Sequence, residues 1–198
     1  MAKKPLPTPE QLRQVLRYEP ETGKLFWRER TPDMFTETSS EDGRWRRSAE
    51  WAANRWNSAH SGKEAFTALS YGYYVGTVLG RRVMAHRVCW AISVGAWPDI
   101  LDHANGVPSD NRLENLRVAT RSQNNQNVRS QRGSSSKYKG VTFDRSRGKW
   151  IAGIKKDFKR RNLGRFEREI DAAIAHDRAA IELYGEYARL NFPDQMPT

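Results

Sequence analysis

Apolar positions recur at helical spacing near the start of the chain. Leu12, Val15 and Leu16 form a short stripe behind Thr8-Pro9-Glu10, a capping threonine followed by proline and an early carboxylate. This predicts a helix that ends before "YEPETG", with "GKLFWRE" following as a strand. From Arg30 to Gly62 no period holds. That stretch is polar, carries Trp45, Trp51 and Trp56, and reads as a long loop with short helical pieces and locally packed tryptophans. From Tyr71 onward aromatic and β-branched residues alternate around Gly80-Arg81, which predicts a hairpin leading into a helix from about His86 to Val94. "GAWP" closes that helix, "DILDH" and "ENLRVAT" read as short strands, and Ser122 is placed to cap a helix beginning "QNNQN".

After a Gly/Ser/Lys/Arg segment, "RSQRGSSSK", the period changes again. Three alternating runs, "YKGVTFD", "KWIAGIKK" and "RRNLGRFE", are separated by turns at "RSRG" and "DFKR", which predicts an antiparallel meander. From Glu167 to about Tyr184 the spacing is helical. Ala172, Ala173, His176, Ala179, Ala180 and Leu183 share one face, so the helix can lie close to a sheet with His176 in the core. Gly185 ends it and "ARLNF" packs back.

Charge sharpens this picture. The 198 residues carry a formal net charge of +11, and between Val128 and Asn162 twelve Lys/Arg face two Asp. Nearly all of the net positive charge therefore sits in one segment, and a polyanion is the expected partner. Hydrophobic content of 37% and a mean hydropathy of -0.84 favour small cores joined by polar stretches. The lone Cys89 excludes an internal disulfide framework and a Cys-rich zinc knuckle. No run approaches the ~18 apolar residues of a membrane span, and the basic N-terminus lacks an apolar signal core, so a soluble cytoplasmic chain with no membrane partner is expected.

The asparagine-rich stretch from Ile100 to Asn127 carries the candidate chemistry. It reads either as Asx-rich turns or as a site. In the second reading Asp102 and Asn124 supply oxygen ligands to a hard divalent cation, leaving positions open for water and phosphate. His103, pointing the other way along the strand, deprotonates a water, and Asn115 is placed to fix its ring. Arg87 is a candidate phosphate contact; His86 reads as core packing or phosphate contact.

The stretch "AHRVCWAISVGAWPDILDHANGVPSDNRLENLRVATRSQNNQN" resembles the phage HNH homing endonucleases, members of the ββα-metal (His-Me finger) nucleases. In that family an Asp-His pair ends the first strand, an Asn follows twelve residues after the His, and another lies about twenty-one residues after it. Asp102, His103, Asn115 and Asn124 fill those places. The resemblance implies His103 as general base, Asp102 and Asn124 around one Mg²⁺ (or Mn²⁺), and Asn115 steadying the local geometry.

The basic meander offers Lys137, Lys139, Arg145, Arg147, Lys149, Trp150, Lys155, Arg160 and Arg161 as DNA contacts, with Arg129 and Arg132 in the linker and Trp150 as an exposed aromatic. From about Ser136 to Pro193 the chain resembles the APETALA2/ERF DNA-binding domain. The likeness is carried by Gly140-Val141, Gly148-Lys149-Trp150, Leu163-Gly164, Asp177-Arg178-Ala179-Ala180 and Leu190-Asn191-Phe192. The resemblance implies a three-stranded antiparallel sheet on one helix that contacts DNA through the sheet. Thr142, Arg147 and Asn162 depart from the family's pattern, so its base preference does not transfer.

The expectation is an α+β chain. Residues 1–128 form a nuclease domain with its ββα-metal core at about 97–128, 129–135 a basic flexible linker, and 136–193 a DNA-binding domain. The expected function is a metal-dependent, site-specific endonuclease of the homing type acting on double-stranded DNA as a monomer, in a bacterial host cell if the origin is phage. A regulator whose nuclease half does not cleave, and an RNA-binding protein, are the alternatives.

Overall fold

Thr8 starts the first helix by a reciprocal pair. Its hydroxyl accepts from the Gln11 amide at 3.2 Å, and Gln11 Oε1 accepts from the Thr8 amide at 2.8 Å, satisfying two donors that a helix start otherwise orphans. In this computed structural model, which describes residues 5–126, 134–156 and 159–193, helix α1 spans Pro9–Val15. By their contacts the residues divide into two units. One comprises Met1–His103 and Val107–Leu116; the other comprises Ala104–Gly106 and Arg117–Thr198.

In the first unit α1 runs directly into β1 (Leu16–Glu19), which pairs antiparallel with β2 (Lys24–Trp27). The sequence reading has no strand at β1. Its polar residues form one because β2 supplies the ladder and Leu16 goes into the core. Next come the ribbon β3 (Thr38–Ser39) and β4 (Arg46–Arg47), then α2 (Ala49–His60) capped by the Ser48 hydroxyl. α2 replaces the short helical pieces expected there. It buries only Ala53, so it leaves no apolar stripe to read. Trp56 does pack locally, edge-to-face on Trp27 at 5.7 Å with the Arg30 guanidinium 3.9 Å from its ring centroid. Trp45 and Trp51 stay exposed.

β5 (Glu64–Ala65) joins the edge of β2, and β6 (Ala68–Ser70), β7 (Tyr73–Val78) and β8 (Arg81–Met84) form a meander. α3 (Ala85–Val94) follows and is closed by Gly95 in the left-handed conformation. Arg13 of α1 donates to the Ile92 carbonyl at 2.9 and 2.6 Å, satisfying an acceptor that the end of α3 leaves open. Leu12, Val15, Leu16, Leu25, Val78, Val88 and Cys89 fill the core between them. β9 (Leu101–His103) and β10 (Leu116–Val118) form a two-stranded sheet.

In the second unit α4 (Arg121–Gln126) begins two residues earlier than the sequence suggests. Its cap is Thr120 rather than Ser122: the Thr120 hydroxyl accepts from Gln123 N at 3.2 Å and Gln123 Oε1 accepts from Thr120 N at 2.7 Å. β11 (Val141–Asp144), β12 (Lys149–Lys156) and β13 (Lys159–Phe166) form the expected antiparallel sheet, and α5 (Glu169–Tyr184) packs on it through Ala172, Ala173, Ala179 and Ala180. Ser135 and Ser136, read as the linker's end and the domain's start, are tied into this unit. Ser135 Oγ accepts from Phe143 N at 2.8 Å and Ser136 Oγ donates to Glu169 at 2.7 Å. No helix among the described residues is long and apolar enough to cross a membrane.

Candidate active site

β9 presents Asp102 and His103 at consecutive positions, so their side chains leave opposite faces of the strand. Both are buried, at 3% and 5% exposure. His103 sits in a cluster of three rings. His86, from the first turn of α3, meets it edge-to-face with centroids 5.1 Å apart, and Tyr73 of β7 lies 5.8 Å from His103 and 5.3 Å from His86. His86 is also buried, and its Nδ1 has no hydrogen-bond partner.

The His103 ring is oriented by Asn111, a residue the sequence reading did not single out. Asn111 Oδ1 lies 3.3 Å from His103 Nε2. Asn111 is itself fixed from a distance in sequence. The Tyr18 hydroxyl donates to its carbonyl at 2.7 Å, and the β1–β2 turn packs on its backbone. At Gly23, with φ +73, a Cβ would fall 2.7 Å from Asn111 C and 2.6 Å from Arg112 N. Only glycine allows that approach. Asn115, expected beside His103, is buried and donates from Nδ2 to the Asp110 carbonyl at 2.8 Å, so it braces the same loop. Arg112 forks onto the Asp110 carboxylate at 2.9 and 2.8 Å.

Burial lowers the pKa of His103, opposed by the Asn111 hydrogen bond and by the Asp102 and Asp110 carboxylates. The ring is therefore neutral at neutral pH, as a base must be. His86 is pushed down to about 3, mainly by burial and further by His103 and Arg87. Asn124 lies on α4 in the second unit, half-exposed, with its backbone amide bonded to the Thr120 carbonyl at 3.0 Å. Among the described residues no group of three or more His, Cys, Asp or Glu is placed to hold a metal ion. Asp102 and Asn124 are hard oxygen donors. Oxygen donors of that kind suit a hard cation, and the two residues belong to different units.

The basic residues divide by the alternation of the sheet. Trp150 lies on the α5 side, in contact with the core and 4.8 Å from Phe143, which corrects its reading as an exposed aromatic. It shares its face with Ala152 and Ile154, two and four positions on. Arg161, opposite Ile154, is on that side too and pairs with Glu182 of α5 at 3.7 Å. The other face carries Lys149, Lys155, Arg160 and Arg165, with Thr142 and Asn162. Arg165 escapes sequence reading because a register shift at Ala152/Gly153 changes the parity along β13. Arg145 and Arg147 are exposed in the β11–β12 turn and Lys137 is exposed before β11. Lys139 is half-buried, with a pKa lowered to about 8 by burial and then by Arg189. Arg87 donates inward to the Pro98 carbonyl at 2.8 Å. Arg129 and Arg132 lie outside the described residues.

Comparison with known proteins completes the picture. Residues 83–126 match the family model described as HNH endonuclease. "Protein 3.8" of Escherichia phage T7 is 30% identical over 107 residues, covering 52% of this chain and 87% of the phage protein. "Dehydration-responsive element-binding protein 2E" of Arabidopsis thaliana is 40% identical over 70 residues, 30% of this chain and 28% of the plant protein. "APETALA2-like protein 2" of Oryza sativa subsp. indica is 45% identical over 64 residues, 32% of this chain and 15% of the plant protein. The chain thus spans less than a third of the length of these plant relatives.

Proposed function

The chain belongs to the HNH endonuclease family, and from that premise we propose that it is a metal-dependent, site-specific DNA endonuclease of the homing type. Its nuclease domain is residues 1–128, and residues 136–193 read the DNA. The observation that carries the reading is the buried His103 held by Asn111 next to the buried carboxylate of Asp102.

His103 is the general base. With Asn111 Oδ1 accepting from Nε2–H, the tautomer that results keeps the lone pair on Nδ1. That nitrogen takes a proton from a water as the water attacks phosphorus and the ester oxygen leaves. Asp102 and Asn124 would hold one divalent cation, Mg²⁺ in the first instance. When bound it supplies electrostatic stabilisation of the charge that develops on the phosphate and the leaving oxygen. Asn115 holds the loop that carries Asn111.

Lys149, Lys155, Arg160 and Arg165 on the open sheet face, with Arg145, Arg147 and Lys137 beside it, bind double-stranded DNA. The phage relative supports action inside a bacterial host cell, and the chain is proposed to act as a monomer. The test is supercoiled plasmid and phage DNA incubated with Mg²⁺, with EDTA, and with His103→Ala. Nicked or linear product should require both metal and His103, with the variant at least ~100-fold slower. Equal cutting by the variant would place the base elsewhere. Tight binding without any cutting on selected sites would favour a regulator with a silent nuclease half.

A further inference from the structure

Between Arg30 and Gly62 the sequence offers no period, yet it holds three of the chain's seven tryptophans. The structure treats them differently. Trp56 turns inward against Trp27, whereas Trp45 and Trp51 remain 47% and 43% exposed. Trp45 and Arg47 are two positions apart across the start of β4, so they share one side of the ribbon. Trp51 and Arg55 are one turn apart on α2. The four side chains form a continuous chain of contacts. The Arg47 guanidinium lies 4.9 Å from the ring centroid of Trp45 and 4.9 Å from that of Trp51, and Arg55 lies 5.5 Å from Trp51. The neighbouring acids are engaged elsewhere. Asp42 pairs with Arg44 at 3.0 Å, Glu37 accepts from Arg46, and the Glu50 carboxylate is held at the start of α2 by its own amide and by Ser48. Among the described residues Arg47 and Arg55 pair with no carboxylate. All of these residues belong to the first unit.

Leaving two indoles in water forgoes the large apolar burial that such rings offer, and a ligand that covers them restores it. Indoles and guanidiniums in alternation can take bases on their ring faces and phosphates on their N–H edges. We propose that Trp45, Arg47, Trp51 and Arg55 form a binding site for an unpaired DNA strand, a second DNA contact besides the basic sheet. For the identity of the polymer this rests on the DNA reading above. Duplex DNA suits these residues less well. Its bases are stacked on one another and present only edges and phosphates, whereas an unpaired strand offers the base faces on which an indole stacks.

The test uses the full chain, a fluorescein-labelled oligothymidylate of about twelve nucleotides that cannot pair with itself, and a mixed-sequence duplex alongside. Trp45→Ala and Trp51→Ala should each weaken binding of the oligothymidylate about tenfold while duplex affinity stays within about twofold. Arg47→Gln and Arg55→Gln should each lower the slope of log affinity against log salt on the single strand by about 0.7. The alanine variants could loosen the ribbon, so a second readout uses the wild type alone. Oligothymidylate carrying 5-iodouracil is irradiated in the complex, and the adducts should fall on Trp45 or Trp51. Single-strand affinity unaltered in all four variants would overturn the proposal, as would equal losses on single strand and duplex, or adducts confined to residues 137–166. A wild type that binds the duplex but not the oligothymidylate overturns this proposal alone. One that binds neither overturns the DNA reading with it.

Discussion

His86 Nδ1 is a buried ring nitrogen with no partner, next to a second buried histidine. Such a group stays neutral because its surroundings cannot solvate a charge. Its folded pKa of about 3 lies below the ordinary 6.5, so below pH 6.5 the unfolded chain takes up a proton that the folded chain refuses. The stability it contributes is complete above pH 6.5 and is lost as pH falls toward 3, by about 2 kcal/mol at pH 5. His103 is shifted in the same direction. The urea midpoint should therefore drop between pH 7 and pH 5, and in His86→Phe the drop should shrink by about half. An unchanged pH profile in the variant would show that His86 does not carry the effect. Asp102 and His103 stood out in the sequence as candidates because the pair opens an asparagine-rich stretch between a strand and an Asn-bearing helix. Asn111 was not, since "PSDN" is ordinary turn chemistry. What aims its side chain is Gly23 and Tyr18, about ninety residues away.

Among the elements, α5 shows how much a helix can carry besides its apolar face. Asp177 is fully buried on it, and its carboxylate accepts from Asn191 N at 2.7 Å, Asn191 Nδ2 at 2.9 Å and Phe192 N at 2.9 Å. The return of "LNF" onto the helix hangs on those bonds. Asp177→Ala leaves two backbone donors unsatisfied and should cost about 3–5 kcal/mol. In a domain this small that is most of its stability. Urea unfolding followed by circular dichroism should show the midpoint collapse, with Asp177→Asn between the two. A midpoint within error of wild type would mean that water replaces the carboxylate. Elements with a strong period, α1, α3, α5 and the three strands of the basic sheet, were readable from the sequence. α2 was not, because it buries a single alanine, and neither was β1, whose polar residues become a strand only through the pairing with β2.

Across the whole molecule the decisive quantity is where the +11 of charge points. The sequence locates it to one segment but cannot assign it to a face, because the register shift in β12–β13 breaks simple alternation. Arg160 and Arg161 are neighbours in sequence with different surroundings. Arg160 is opposite Lys155 on the open face, and Arg161 is opposite Ile154 and within reach of Glu182. Each phosphate neutralised contributes about 0.9 to the slope of log affinity against log salt. Lys149, Lys155, Arg160 and Arg165 together should then give a slope near -3.6, and the turn residues Arg145 and Arg147 with Lys137 should carry it toward about -6. The ion pair of Lys149 with Glu167 is exposed, so exchanging it for phosphate costs little, whereas the pair of Arg147 with Asp144 is exposed on the arginine side only. Binding measured from 50 to 300 mM salt should show Arg160→Ala lowering the slope by about 0.9 and Arg161→Ala leaving it unchanged. The reverse result would put DNA on the helix side of the sheet, and equal losses would mean that the segment binds as undirected charge.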